Sequence, residues 1–215
     1  HRASPFSHKE EMAMEERLSP TRHVKALHCL NNIPCAVLLP VVTVDGEEHV
    51  LFEVRSSKLA WQPRDICFPG GKIEAADANA QAAAIRETEE ELGIARSAIE
   101  ILGPLDYLES MVGVTVWPFA ARLHSLDFSI SKDELDEVFT VPLAWLRQYQ
   151  PEEKRMEIAT RPGPDFPSDL LRSAAPDTTS EWRRRKTYSV YIYRYENHVI
   201  WGITAHILRH FLSLY

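Results

Sequence analysis

Two β-rich runs, Cys35 to Val44 and His49 to Arg55, flank Asp45-Gly46, and that dipeptide between such runs predicts a tight hairpin. Ile66-Cys67-Phe68 reads as a short strand entering Pro69-Gly70-Gly71, where paired glycines permit backbone conformations closed to other residues. A helical period then begins near Ala78, with Asp77 as the expected N-cap and Gly93 as the C-terminal stop. Its apolar stripe is expected at Ala78, Ala82, Ile85 and Leu92, opposite a face where only small Ala80 and Ala83 accompany the charges.

Strand-like runs follow at Ile99 to Tyr107 and Val114 to Leu123, and Val138 to Leu146 leads into a short helix or turn. Residues 150–180 contain prolines 151, 162, 164, 167 and 176 with little periodicity, the profile of a long surface loop. Beyond it, Tyr188 to Tyr195 alternates as a strand and His198 to Trp201 is apolar. Ile203, Ile207, Phe211 and Leu214 then mark a buried helical stripe. Ahead of all this, Met12, Met14, Leu18, Val24, Leu27 and Leu30 fall at helical intervals broken at Ser19-Pro20. Residues 1–31 therefore read as an N-terminal helical appendage to a domain over 32–215. The order of elements makes this an α/β chain of the α+β kind.

At 215 residues, 45% hydrophobic and 26% charged, the chain has the make-up of a soluble globular protein with room for a sizeable core. A formal net charge of −7 argues against general nucleic-acid binding, so an anionic substrate needs a local device such as metal ions to hold it. Cys29, Cys35 and Cys67 form neither a metal-type pair nor an even disulfide framework, which points to free thiols and a cytoplasmic setting. Ile33 to Val44, interrupted by Pro34 and Pro40, is too short for the ~20 residues a bilayer span requires. His1 rather than methionine begins the chain, so a trimmed N-terminus is expected, and its polar start does not resemble a secretory signal.

The chemistry concentrates on one helix face. Glu87, Glu90 and Glu91 stand at i, i+3 and i+4 and so point the same way. Like charges at that spacing oppose the helix by roughly 0.2–0.5 kcal/mol per pair, and Arg86 offsets only part of this. An isolated acidic run is ordinarily a solvated face. Here it follows a Pro-Gly-Gly turn and ends on Gly93-Ile94, and hard divalent ions such as Mg²⁺ take carboxylate and carbonyl oxygens together with substrate phosphates.

Gly71, Asp77 and the run Arg86-Glu87-Thr88-Glu89-Glu90-Glu91-Leu92-Gly93-Ile94 resemble the box of the Nudix hydrolase family. The match has two departures. Asp77 stands for the family's first glutamate, with eight residues rather than seven before Arg86, and Thr88 replaces an aliphatic residue. The longer spacing resembles the coenzyme A diphosphatase branch. So does the upstream stretch Leu51 to Leu59, Gln62-Pro63-Arg64 and Ile66 to Gly71, although that branch usually has Thr at Glu53 and Gly at Arg64. Asp133-Glu134-Leu135, Val138-Phe139, Val141-Pro142-Leu143 and Trp201 to Ala205 extend the similarity, which spans roughly Cys35 to Leu212 outside the 150–180 loop.

The resemblance implies a Nudix fold, a mixed β-sheet sandwiched between helices, and hydrolysis of a phosphorus anhydride with Mg²⁺ or Mn²⁺. It implies that Glu87, Glu90 and Glu91, with the carbonyl of Gly70 or Gly71, hold the metal. Arg86 orients the carboxylates, and Glu87 or the loop residue Glu134 serves as general base. Coenzyme A or a derivative is the expected substrate, giving adenosine 3′,5′-bisphosphate and 4′-phosphopantetheine. Arg55, Lys58 and Arg64, or the basic cluster Arg183 to Lys186, are weaker candidates for its extra phosphate. Trp61 and Trp182 read as packing residues, and the histidines, including His206 and His210, show no ligand spacing. The alternatives are a Nudix enzyme for ADP-ribose or another nucleoside diphosphate derivative, and a catalytically silent Nudix-fold binding module. The partner expected is a small diphosphate rather than nucleic acid or membrane, with a homodimer left open.

Overall fold

The computed structural model describes residues 31–167 and 182–214. The expected appendage at 1–31 lies outside the described residues, save Asn31, as do Cys29 and much of the 150–180 stretch.

Strand β1 (Ile33–Val44) turns into β2 (Glu47–Arg55) through Asp45 and Gly46. Both turn residues have positive φ, 50° and 84°, the two left-handed positions a two-residue hairpin of this twist demands. Strands β3 (Ile66–Cys67) and β4 (Gly70–Lys72) are short and lead to helix α1 (Ala80–Leu92). Then come a 3-10 turn (Arg96–Ala98), β5 (Ile99–Pro104), β6 (Leu108–Glu109), β7 (Val114–Leu123) and β8 (Leu135–Pro142). Helix α2 (Leu143–Gln148), β9 (Glu152–Thr160), β10 (Arg183–Tyr195), β11 (His198–Trp201) and α3 (Gly202–Leu214) complete the described chain.

Eight strands form one sheet whose spine runs β3-β2-β1-β7-β5, with β4 joined to β1, β6 to β7 and β8 to β2. β1 and β7 run parallel while the other pairs are antiparallel, so the sheet is mixed. β1 changes its antiparallel partner midway: β4 pairs up to Val37 and β2 from Val41, and Pro40 sits at the exchange. Alternation along the strands loads both faces. Ala36, Leu38, Val42 and Leu51 pack with Ala83, Ala84, Ile85 and Leu92 of α1, whereas Leu39, Val41, Val50 and Phe52 pack with Ile207, Leu208 and Phe211 of α3. The sheet is therefore sandwiched between helices, as the Nudix pattern implies.

Three expectations are corrected. Helix α1 begins at Ala80, and its N-cap is Asn79, whose side-chain oxygen accepts the N–H of Ala82 at 2.9 Å; Asp77 is drawn away to Arg86. The buried stripe accordingly runs through Ala83, Ala84, Ile85, Thr88 and Leu92, while Ala78 is exposed and Ala83 belongs to the core rather than to the acidic face. Within the supposed loop, Glu152–Thr160 is a strand of a second, three-stranded sheet ordered β11-β10-β9. It lies at the edge of that sheet with most residues exposed on both faces, so it carries no two-residue hydrophobic alternation to announce it. Its pairing also draws β10 back to Arg183, taking the basic cluster into a strand.

The C-terminal stop holds. Gly93 has φ 65° and donates to Glu89 O at 3.0 Å, and a Cβ there would strike the carbonyl of Ser129. Removing the cap tests the start of the helix: Asn79→Ala should lower unfolding free energy by about 1 kcal/mol. A denaturation midpoint equal to wild type would show that α1 draws its N-terminal order elsewhere.

Candidate active site

Glycine makes the floor of the site. Gly70 has φ 150°, and a Cβ there would collide with the Ala36 carbonyl and the Val37 backbone, so only a bare backbone fits against β1. A Cβ on Gly71 would lie 2.5 Å from Cδ of Glu87. The turn thus brings main chain into contact with the helix, and Gly70 N–H donates to Oε2 of Glu91 at 2.8 Å.

Around this floor the three box glutamates occupy different depths. Glu91 is 6% exposed, Glu87 is half-buried and the Glu90 side chain is 58% exposed. Burial pushes the Glu91 carboxyl up to about 8; the Gly70 N–H moderates this, and the charges of Glu87 and Glu134 add to it. Glu87 is also raised, first by desolvation, with its ion pair to Arg86 working in the opposite direction. Thr88, the departure from an aliphatic residue, is fully buried and donates its hydroxyl to Ala84 O at 2.7 Å, which satisfies it within the helix.

Arg86 ties the approach to the helix. Its Nε and Nη2 donate to the two oxygens of Asp77, each at 3.0 Å, in a fork-to-fork pair. Nη2 also donates to Lys72 O at 3.2 Å, and Nη1 to Glu87 at 2.8 Å and Glu90 at 3.5 Å. Asp77 further accepts the Glu74 N–H at 2.8 Å, and its bonds to Arg86 hold its carboxyl below the usual range. Asp77 lies before the Asn79 cap and reaches the guanidinium from outside the helix.

Glu134 enters from a loop fastened to the helix end. Ser129 and Ser131 N–H donate to the carbonyls of Leu92 and Glu91, both at 2.9 Å, satisfying groups the last helical turn leaves open. Glu134 donates its own N–H to Ser131 O at 3.0 Å, and its carbonyl accepts the Ser56 N–H at 2.7 Å. Its side chain is exposed, and its charge acts on Glu87, Glu91 and Glu53.

Glu53 was not among the sequence candidates. It is fully buried, among the described residues no donor other than the Glu91 carboxyl faces its oxygens, and desolvation, followed by the charge of Glu91 and a hydrogen bond to it, raises its carboxyl well above the ordinary value. The available signal was a charge at the inward position of β2, two residues after buried Leu51. Arg55, also on β2, has a buried Nε without an acceptor, and its charge acts on Glu53, Glu91 and Cys67. Arg64 is exposed, and Lys58 makes only a 4.0 Å contact with Asp133 across solvent, so neither touches the acidic centre. Cys35 and Cys67 are free thiols, as expected. A separate open cavity of about 660 Å³, lined by residues that include Arg147, Tyr193, His206 and Arg209, belongs to the α2–α3 side of the sheet and not to the carboxylates of α1.

Oxygen-only donors, the buried carboxyls of Glu91 and Glu53 and a glycine cradle suit a hard divalent cation. Among the described residues no three histidine, cysteine or carboxylate side chains converge tightly enough to enclose an ion as they stand. Arg86 bonds one oxygen of Glu87 and one of Glu90.

A model of the NUDIX domain matches residues 36–160, from β1 through β9. The chain belongs to the Nudix hydrolase family. It is 33% identical over 181 residues to the "Uncharacterized Nudix hydrolase NudL" of Escherichia coli (strain K12), covering 84% of this chain and 81% of that one. The NudL of Citrobacter koseri is 32% identical over the same shares. Among solved structures, a Caenorhabditis elegans Ap4A hydrolase binary complex aligns at a TM-score of 0.44 and 22% identity, covering 51% of this chain and 80% of that one. In this Nudix protein no helix among the described residues is long and apolar enough to cross a membrane.

The pH response follows from the raised carboxyls. A folded-state value near 8 for Glu91, above its ordinary 4.5, favours the protonated folded state, so this group's contribution to stability is fully present below 4.5 and is lost as pH climbs through 8. In protein treated with chelator, the melting temperature should rise as pH is lowered from 8 to 5, with a shallower slope in Glu91→Gln. A slope of opposite sign, or one untouched by that substitution, would refute this assignment. Gly71→Ala should displace Glu87 and weaken Mn²⁺ binding by about 10–100-fold, the loss usual when groups supporting metal ligands are disturbed, measured by calorimetric titration.

Proposed function

We propose that this Nudix protein is a divalent-metal-dependent diphosphate hydrolase whose substrate is coenzyme A or a derivative, cleaved to adenosine 3′,5′-bisphosphate and 4′-phosphopantetheine. The observation that carries the reaction class is the seating of Glu91 on the Gly70 N–H, with Glu87 packed over Gly71 and Glu90 one turn away at the solvent edge. In this reading Glu87, Glu90 and Glu91, with a carbonyl of the Gly70-Gly71 turn, hold Mg²⁺ or Mn²⁺. When bound, the cation neutralises diphosphate charge and lowers the pKa of a coordinated water.

The chain's own residues set the rest. Arg86, anchored by Asp77 from outside the helix, orients Glu87 and Glu90 and is a positioning residue. Glu134 stands on a loop clamped to the helix end with its side chain free in solvent, where it can take a proton from an attacking water; Glu87, already desolvated, is the other base available. Coenzyme A is favoured by the resemblance of the stretch from Leu51 to Gly71, which runs from β2 through β3 to the glycine floor and carries Arg55, Lys58 and Arg64. The last two are exposed and available for a further phosphate.

The test is a panel of coenzyme A, ADP-ribose and nucleoside diphosphate derivatives with Mg²⁺ or Mn²⁺, read by product masses. Coenzyme A should be turned over with release of adenosine 3′,5′-bisphosphate, and Glu90→Gln and Glu91→Gln should each cut kcat/KM by more than about 100-fold, beyond the loss from disturbing a group that merely supports a ligand. Turnover of ADP-ribose in preference would overturn the substrate. No metal-dependent turnover of any member would mark a silent binding module.

A further inference from the structure

Glu53 is the carboxylate that the Nudix box does not account for. Alternation along β2 turns Phe52 toward the α3 side of the sheet and Leu51 and Glu53 toward α1. The Glu53 side chain has no solvent exposure, and among the described residues no donor other than the neighbouring Glu91 carboxyl faces its oxygens. Its register partner on β3 is Cys67, three residues before the Gly70 whose N–H holds Glu91. Of the groups around it Glu91 acts on it most strongly, by its charge and by a carboxyl–carboxyl hydrogen bond, ahead of Arg55 and Glu134. The Arg55 guanidinium acts on Glu53 by its charge and hydrogen-bonds Cys67, and its buried Nε has no acceptor among the described residues.

A carboxylate sealed from water is strongly disfavoured unless it is paired, protonated or bound to a metal. A single proton converts one oxygen to a donor and leaves the other still orphaned. A hard cation accepts either oxygen, or both, together with those of a neighbouring carboxylate. An ordinary core position facing α1 would instead hold an aliphatic side chain, as Leu51 does two residues earlier.

We propose that Glu53 is an additional ligand of the divalent-cation site, its orphaned oxygens completed by an ion shared with Glu91. This rests on the metal-dependent reading above and adds to it a donor from β2, outside the glycine turn and α1.

The test uses the full chain and Mn²⁺ alone, without nucleotide. Wild type, Glu53→Gln, Glu53→Thr and Glu91→Gln are titrated with Mn²⁺ by calorimetry, with free ion counted by electron paramagnetic resonance, and each is melted in chelator. Both Glu53 variants should bind Mn²⁺ about 10–100-fold more weakly, or bind one ion fewer, while melting in chelator at or above the wild-type temperature. Gln keeps the shape and Thr favours a strand, so neither opposes β2. Wild-type Mn²⁺ affinity in both folded variants overturns the proposal, and a loss seen only in Glu91→Gln then leaves the metal reading standing. Melting well below wild type in chelator by both variants makes Glu53 a structural residue and equally overturns it. Failure of the wild-type protein itself to bind Mn²⁺ removes the metal reading, and this inference with it.

Discussion

Everything at the site depends on one close approach, the backbone of Gly70 and Gly71 against the acidic face of α1. The Gly70 N–H reaches the Glu91 carboxyl at 2.8 Å because no side chain intervenes on either glycine, and β4 pairs with β1 through the same residues. One short segment is therefore at once a strand of the sheet, the floor of the site and the partner of a buried acid. Ala83, Ala84, Ile85 and Leu92 hold the opposite side of the helix to the sheet, so the contact cannot open without exposing that packing.

Charge is distributed unevenly around this contact. Arg86 gathers Asp77, Glu87, Glu90 and the Lys72 carbonyl at the entrance, where partly exposed carboxylates meet a guanidinium of matching shape. Deeper in, Glu91 and Glu53 have no comparable partner, and burial raises both. The entrance carboxylates therefore share one guanidinium, while burial favours the protonated forms of the two deeper acids.

What could be read along the chain was local. The hairpin at Asp45-Gly46 depends on two residues tolerating positive φ, the stop at Gly93 on one, and the shared direction of Glu87, Glu90 and Glu91 on the helical repeat alone. The box from Gly70 to Ile94 is one continuous segment, so family, fold and acidic face were all legible there. Thr88 looked like a defect in that pattern and is satisfied by the helix's own backbone.

Tertiary structure decided the rest, because those features need partners far away in sequence. Asp77 has the composition of a cap, yet a guanidinium nine residues later claims both of its oxygens, and Asn79 caps instead. β9 has no hydrophobic alternation, since an edge strand exposed on both faces needs none, and only β10 makes it a strand. Glu134 joins the site through a loop clamped to the last carbonyls of α1. Glu53 reads as an ordinary charge in a strand until the sheet closes over it. By itself the sequence determined which residues carry acid and where the backbone can turn, because these follow from residue type and short-range geometry. Which acids are buried, paired or left without a partner was decided by packing, since burial belongs to the assembled layers and to no single segment.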